Sequence, residues 1–233
     1  MTTTFLDNIR LIDPEANTVT ETTLILDGGL IAAIGAASAP KDAQVVDGRG
    51  ACLAPGIVDL GVKIGEPGER HRESFRSAGL AAAAGGVTTI IAPPDTSPVR
   101  IRHMAALTKG REGREMTEIG FLLDAGAIAF TDAPNVVSDT KVLGRALTYA
   151  KSLGALVIGH PQEPGLSRGA SATSGKFASL RGIPAVHPMA ERIGLDRDLG
   201  LIEMTGARYH ADQITTARSL PALERAKANG ADV

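Results

Sequence analysis

Apolar strands alternating with helical stretches from residue 55 onward predict an α/β fold with a parallel sheet and helical crossovers. Three observations carry that expectation. The apolar runs Ile57 to Val62, Val87 to Ala92 and Ala155 to Gly159 are short and rich in β-branched residues, as buried parallel strands are. Glycines punctuate the ends of the helical stretches, at Gly85-Gly86 and at Gly230, where a left-handed residue closes a helix. Hydrophobic residues make up 43% of the 233-residue chain and charged residues 21%, a balance that supplies a sizeable core and excludes disorder. The pattern leaves two architectures open, a (β/α) barrel or an open sheet.

Residues 1–54 read differently, as short strands with tight turns and no convergent polar cluster. Thr22 to Leu26 and Leu30 to Ile34 flank Asp27-Gly28-Gly29, a hairpin signal because glycine accepts positive φ without penalty. Ala43 to Asp47 is a further strand, closed by Gly48-Arg49-Gly50. The expected domains are therefore 1–54 and 55–233.

In the second domain the first strand, Ile57 to Val62, leads to a helix over Glu73 to Ala84 and a second strand, Val87 to Ala92. Val99 to Leu107 is a third strand, and a helix over roughly Arg114 to Asp124 leads to a fourth, Ala127 to Thr131. The helix Lys141 to Ser152 precedes the fifth, Ala155 to Gly159; a helix near Ala190 to Thr205 precedes the sixth, Ala207 to Ala211. Leu220 to Asn229 closes the chain as a helix. Pro93 to Pro98 is about half the dozen residues that a parallel crossover needs. Six strands are also two short of a closed eight-stranded barrel, and an open barrel would expose two apolar strand edges. Either the protein is shortened there or the sequence lacks stretches after Pro98 and after Val233; the exposed edges favour the second reading.

Composition excludes several functions. The net charge is −2, without the concentrated basic patch that a nucleic-acid or membrane partner requires. Lys109, Arg111 and Arg114 are interleaved with Glu112 and Glu115 and read as a solvated helix start. The single cysteine, Cys52, excludes an internal disulfide and a thiolate zinc cluster; within Ala51-Cys52-Leu53-Ala54 it reads as a small buried hydrophobe. The start, Met-Thr-Thr-Thr-Phe-Leu, has no signal-peptide grammar, and Ala78 to Gly86 is too short to span a bilayer. A soluble, cytoplasmic protein is the expectation.

In a barrel the chemistry sits where strands end at their C-termini, and there the sequence becomes specific. Ala54-Pro55-Gly56-Ile57-Val58-Asp59-Leu60, Glu66-Pro67-Gly68 and Ala83-Ala84-Gly85-Gly86-Val87-Thr88-Thr89 occur in order. Thr108-Lys109-Gly110-Arg111 and Ala129-Phe130-Thr131-Asp132 follow. Together these blocks resemble the amidohydrolase superfamily and, within it, the longer two-domain dihydroorotases. The resemblance implies a (β/α)8-type TIM barrel, incomplete here, inserted into a small β-sandwich of which residues 1–54 form a part.

The resemblance also implies where a metal would be held. The family's His-x-His pair at the end of strand one falls on Gly61 and Lys63; glycine has no ligating atom, and an ammonium repels a divalent cation. The arginine and the asparagine that hold the substrate carboxylate fall on Gly65 and Asp95. The strand-four carboxylate falls on Ala133, beside Asp132, and the strand-six histidine on Gln213. The proton-carrying aspartate of strand eight falls beyond Val233. His160, at the strand-five position, alone keeps a ligand, and one imidazole does not make a hydrolytic zinc site, which needs three protein ligands and an open position. No catalytic, substrate-binding or metal-ligating residue and no cofactor is expected.

The expected role is a non-catalytic dihydroorotase homologue of pyrimidine biosynthesis, oligomeric, acting as a structural partner of aspartate transcarbamoylase. The alternative is an active metal-dependent cyclic amidohydrolase with an altered site, using zinc at His160 and ligands from strands seven and eight. A third reading is a small-molecule sensor using the emptied pocket. His160 has Asp132 and His210 as candidate co-ligands, whereas His71, His103 and His187 have no spaced partner. Lys63 is a candidate Schiff-base lysine, but pairing with Asp95 or Asp132 in the vacated metal volume is the plainer reading. The polar run Gly159 to Gly169 reads as a contact surface or a solvated loop.

Overall fold

The computed structural model describes residues 3–60, 62, 64–65, 70–91 and 100–233. The chain divides into two units, Met1–Val58 with Ala82–Thr89 and Asp59–Ala81 with Ile90–Val233.

The first unit carries β1 (Thr4–Asp13), β2 (Thr18–Asp27), β3 (Leu30–Ile34) and β4 (Gln44–Leu53) in the order β3-β2-β1-β4. The expected hairpin forms: Asp27 pairs with Leu30 across the turn, and Gly28 and Gly29 take φ of 58° and 80°, as a two-residue turn of the primed type demands. Phe5, Ile9 and Leu24 are buried. Strand β1 was not among the expected elements, because Asp7-Asn8 interrupts its alternation. There the register shifts and Asn8 turns left-handed at φ 51°. Opposite that bulge, Gly48-Arg49-Gly50 does not end β4 as expected. The pairing steps from Asp7–Asp47 to Ile9–Ala51, and the strand runs on to Leu53.

Cys52 is a correction. It is exposed, not a buried hydrophobe. Strand β4 is the edge of its sheet, and Cys52 lies opposite the exposed Arg10. A fully apolar run was read as two-sided burial, and an edge strand does not provide it.

Next come β5 (Ile57–Asp59), α1 (Phe75–Ala84), β6 (Val87–Ile91) and β7 (Arg100–Arg102), with the strands in the order β5-β6-β7. A second sheet holds β8 (Met104–Ala106), β9 (Ala129–Thr131), β10 (Leu156–Gly159) and β13 (Arg208–Ala211), all parallel. The expected third strand thus breaks at His103, whose carbonyl accepts from the Ile128 N–H: β7 pairs with β6, and β8 pairs with β9. The short link before β7 lies outside the described residues. Between these strands run α2 (Ile119–Asp124), α3 (Thr140–Ser152), α4 (Pro164–Ser167), β11 (Ala172–Thr173), α5 (Lys176–Arg181), β12 (Ala185–Val186) and α6 (Met189–Thr205); α7 (Leu220–Ala228) follows β13.

The second sheet is positioned by a band of apolar residues in register. Ala105, Phe130, Val157 and Tyr209 are neighbours across β8, β9, β10 and β13. Helix α3 covers them with Leu143, Ala146, Leu147 and Ala150, a 3.6-residue stripe, and Asp139 caps its start by accepting from the Lys141 and Val142 N–H groups at 2.8 and 3.1 Å. Helix α2 is shorter than expected, beginning at Ile119 rather than near Arg114. Its anticipated first turns hydrogen-bond to the end of β8 instead: Thr117 N–H donates to Leu107 and Lys109 N–H to Glu115. Lys109, Glu112 and Glu115 therefore belong to a turn before the helix, in which Lys109 and Glu115 form an exposed ion pair at 2.5 Å. The polar run after β10 holds the one-turn helix α4, capped by Glu163.

Helix α6 approaches the loop after β10 so closely that Gly194 faces its backbone; a Cβ there would lie 2.5 Å from the Gln162 nitrogen. Gly194→Ala is expected to lower stability by about 1–3 kcal/mol through overpacking. Gly200→Ala, on the same helix with nothing near its Cβ position, is expected to raise stability by up to about 1 kcal/mol. Urea midpoints at unchanged slope measure both.

Candidate functional site at the strand ends

Strands β8, β9, β10 and β13 run parallel, so their C-terminal ends lie on one side of the sheet, where the sequence places its candidate residues. What sits there is a set of buried carboxylates, each held by hydrogen bonds. A buried carboxylate without partners is heavily penalised, so these bonds fix the loops that carry them.

Asp132 follows β9 directly and is buried. Its Oδ1 accepts from the Thr108 N–H at 2.9 Å, and its Oδ2 accepts a very short hydrogen bond from the Thr108 hydroxyl. That hydroxyl in turn accepts from the Gly113 N–H at 2.8 Å. Both oxygens of Asp132 are thereby committed to the loop after β8.

Asp198, on α6, accepts from the Tyr209 hydroxyl at 2.6 Å and from Arg197 Nε and Nη2 at 2.8 and 2.7 Å. Burial raises the pKa of Asp198 against the opposing pull of Arg197 and Tyr209. Burial and the adjacent carboxylate push the Tyr209 hydroxyl well above its ordinary value, so the tyrosine stays a donor.

Glu191, also on α6, is buried and accepts five hydrogen bonds. Its Oε2 takes the Thr215 N–H at 2.8 Å and hydroxyl at 2.6 Å; its Oε1 takes the Thr216 N–H at 3.1 Å and hydroxyl at 2.9 Å, and the Ser219 hydroxyl at 2.6 Å. Burial alone would raise this carboxyl, but the hydrogen bonds from Ser219, Thr215 and Thr216 outweigh it and hold the pKa below the ordinary glutamate range. Glu191 thus ties the loop after β13 to α6.

The candidate positions fall around this frame. His160 follows β10 and is half-buried; its Nδ1 is buried and has no hydrogen-bond partner among the described residues. It lines a cavity of about 10 Å³ with Asp132, Asp198 and Tyr209, room for no more than a single water. Ala133 is half-buried, donating its N–H to the Thr131 hydroxyl at 3.0 Å. Gln213 is exposed in the turn after β13, with φ at 56°. Gly65 is half-buried and His210 lies on β13. Gly61, Lys63 and Asp95 lie outside the described residues. Among the described residues no three His, Cys, Asp or Glu side chains converge as a metal-ligand group.

The family model described as dihydro-orotase-like matches residues 50–219. The chain belongs to the dihydroorotase-like family. Over 96% of its length it is 38% identical to a dihydroorotase-like protein of Pseudomonas putida and 35% identical to a dihydroorotase of Syntrophus aciditrophicus. It spans 58% of the length of each of those relatives. All of the chain superposes on 57% of the L-hydantoinase (dihydropyrimidinase) of Arthrobacter aurescens, at a TM-score of 0.79 and 21% identity, a likeness of fold.

Thr108, Glu191, Asp198 and Tyr209 were absent from the candidate residues of this family member. One signal pointed to two of them. Glu191 and Asp198 fall on the same helical stripe as Ala190, Gly194, Leu195 and Ile202, and a carboxylate on an apolar stripe demands a buried partner.

Thr108→Val removes the hydroxyl that serves both Asp132 and Gly113. A loss of about 1–3 kcal/mol for each group left unsatisfied is expected, measured by denaturant unfolding. Glu191→Gln is expected to lower stability at neutral pH by about 1–3 kcal/mol. Because the folded pKa of Glu191 is depressed, its contribution is complete above the ordinary carboxylate range and fades as pH falls through the lowered value. The gap between wild type and Glu191→Gln therefore narrows in acid. A gap independent of pH would refute that assignment.

Proposed function

We propose that this chain is a dihydroorotase-like protein of pyrimidine biosynthesis whose metal site has decayed, and that it serves as a structural partner of aspartate transcarbamoylase. The reading includes a TIM barrel joined to a β-sandwich, with residues 1–54 in the sandwich and 55–233 in the barrel, and a cytoplasmic location. No helix among the described residues is long and apolar enough to cross a membrane, which is compatible with that location.

One observation carries the proposal. At the strand ends where the family resemblance would place zinc, His160 is the single imidazole at a ligand position, and Asp132, which lines the same small cavity, has both oxygens engaged by Thr108. Ala133 and Gln213 stand at two more ligand positions, the first with no side-chain donor and the second an exposed amide. Gly61 and Lys63 take the remaining pair. This donor set does not fit a zinc site of three protein ligands, so no step of hydrolysis is routed through a metal here. Without a Lewis acid, no water is made nucleophilic near neutral pH by this route.

The fold is retained while the site is not, and a barrel without its chemistry persists most simply as an assembly component. The names of its relatives, dihydroorotase and dihydroorotase-like protein, support the pyrimidine context. The test is threefold on the full-length protein after exhaustive dialysis: zinc content, ring opening of dihydroorotate, and co-elution with the transcarbamoylase catalytic chain. Zinc far below one per chain, no turnover above background and a joint peak are expected. Stoichiometric zinc with turnover would establish the alternative, an active cyclic amidohydrolase with an altered site.

A further inference from the structure

Among the described residues, helix α5 turns its small residue inward and its large apolar residues outward. Its small residue Ala178 is turned inward and is 3% exposed, while Phe177 and Leu180 are turned outward at 68% and 74% exposed. A surface helix normally buries its large apolar residues and presents the rest. Phe177 and Leu180 stand three positions apart, so both lie on one exposed helix face.

The presentation is also rigid. The two-residue strands β11 and β12 bracket α5 and pair with each other. Ser171 N–H donates to Pro184 at 2.8 Å, Ser174 N–H to Val186 at 2.8 Å and Ile183 N–H to Ala178 at 3.0 Å. The Arg181 guanidinium lies 5.7 Å from the centre of the Phe177 ring, within cation–π range, so the aromatic and the arginine are held as one unit. Phenylalanine and arginine are both enriched at interface cores.

Charge selects the occupant. Between Pro164 and Ala190 the sequence carries Arg168, Lys176 and Arg181 and no aspartate or glutamate, although the chain as a whole is net negative. Self-association through this face would oppose like charges, which is disfavoured. We infer that the outward face of α5, formed by Phe177, Leu180 and Arg181 with Lys176 beside it, docks a partner protein that presents an apolar residue ringed by carboxylates. The inference stands apart from the transcarbamoylase reading, since it rests on the face and not on the identity of the partner.

The test uses the full chain and a fluorescent amphipathic peptide with leucines on one face and glutamates around them. A control peptide carries lysine in place of glutamate, and anionic phospholipid vesicles serve as a second probe. Anisotropy is expected to show salt-sensitive binding of the acidic peptide alone. Phe177→Ser and Leu180→Ser are each expected to weaken it roughly tenfold or more. Arg181→Glu keeps most of the apolar area and is expected to weaken it and flatten its salt dependence. Circular dichroism confirms that these surface variants stay folded. Equal binding of both peptides, binding to vesicles in place of the acidic peptide, no binding, or unchanged affinity in the three variants would each overturn the inference.

Discussion

Buried carboxylates must be fully hydrogen-bonded, and that constraint governs how the strand ends of this protein are built. Asp132, Asp198 and Glu191 are each almost sealed from water, and leaving any of them short of partners would cost on the order of a few kcal/mol. Each is therefore met by backbone N–H groups or hydroxyls from another segment, and Asp198 also by the guanidinium of its neighbour Arg197 on α6. The carboxylates are turned to loops and helices, and the cavity of about 10 Å³ beside His160 has room for about one water. Each of these carboxylates fastens a loop or a strand end to a neighbouring segment.

The two units meet opposite demands. In the first, a four-stranded sheet with few buried side chains is held in register by a pair of facing irregularities, Asn8 in β1 and Gly48 to Gly50 in β4. In the second, a band of apolar side chains in register, Ala105, Phe130, Val157 and Tyr209, gives a dry centre beneath α3. Tyr209 belongs to both systems: its ring fills that centre and its hydroxyl reaches Asp198 at 2.6 Å. Packing and polar satisfaction are therefore coupled at one side chain.

Much of the architecture was legible because it rests on periodicity. The strands Ile57, Val87, Ala129, Leu156 and Arg208 begin within two residues of where their apolar runs placed them, although the first is exposed along its three residues rather than buried as expected. Helices α3, α6 and α7 begin and end within one residue of the expected stretches. The failures have local causes. Cys52 was misjudged because sequence does not reveal which strand is an edge. Residues 114–118 looked helical, yet their backbone found better partners at the end of β8. The third strand read as one run, although its two halves serve different sheets. Of the candidate positions, Ala133, His160 and Gln213 do follow β9, β10 and β13 as the reading of the strands expected. The stripe on α6 reveals the buried carboxylates Glu191 and Asp198 but not their partners, which apart from Arg197 stand 11 to 28 positions away.

The spacing of those anchors has a consequence for how the protein assembles and yields. Thr108 and Asp132 are separated by 24 positions, and so are Glu191 and Thr215, which is about the length of one strand–helix repeat. Each latch thus closes a loop within a single repeat rather than across the whole sheet. Closing a short loop sacrifices less chain entropy than closing a long one, so successive repeats are able to lock one after another along the chain. The same locality partitions the native state: a repeat whose latch opens is free to fluctuate while its neighbours remain fastened, in the manner of cooperative subunits within one fold.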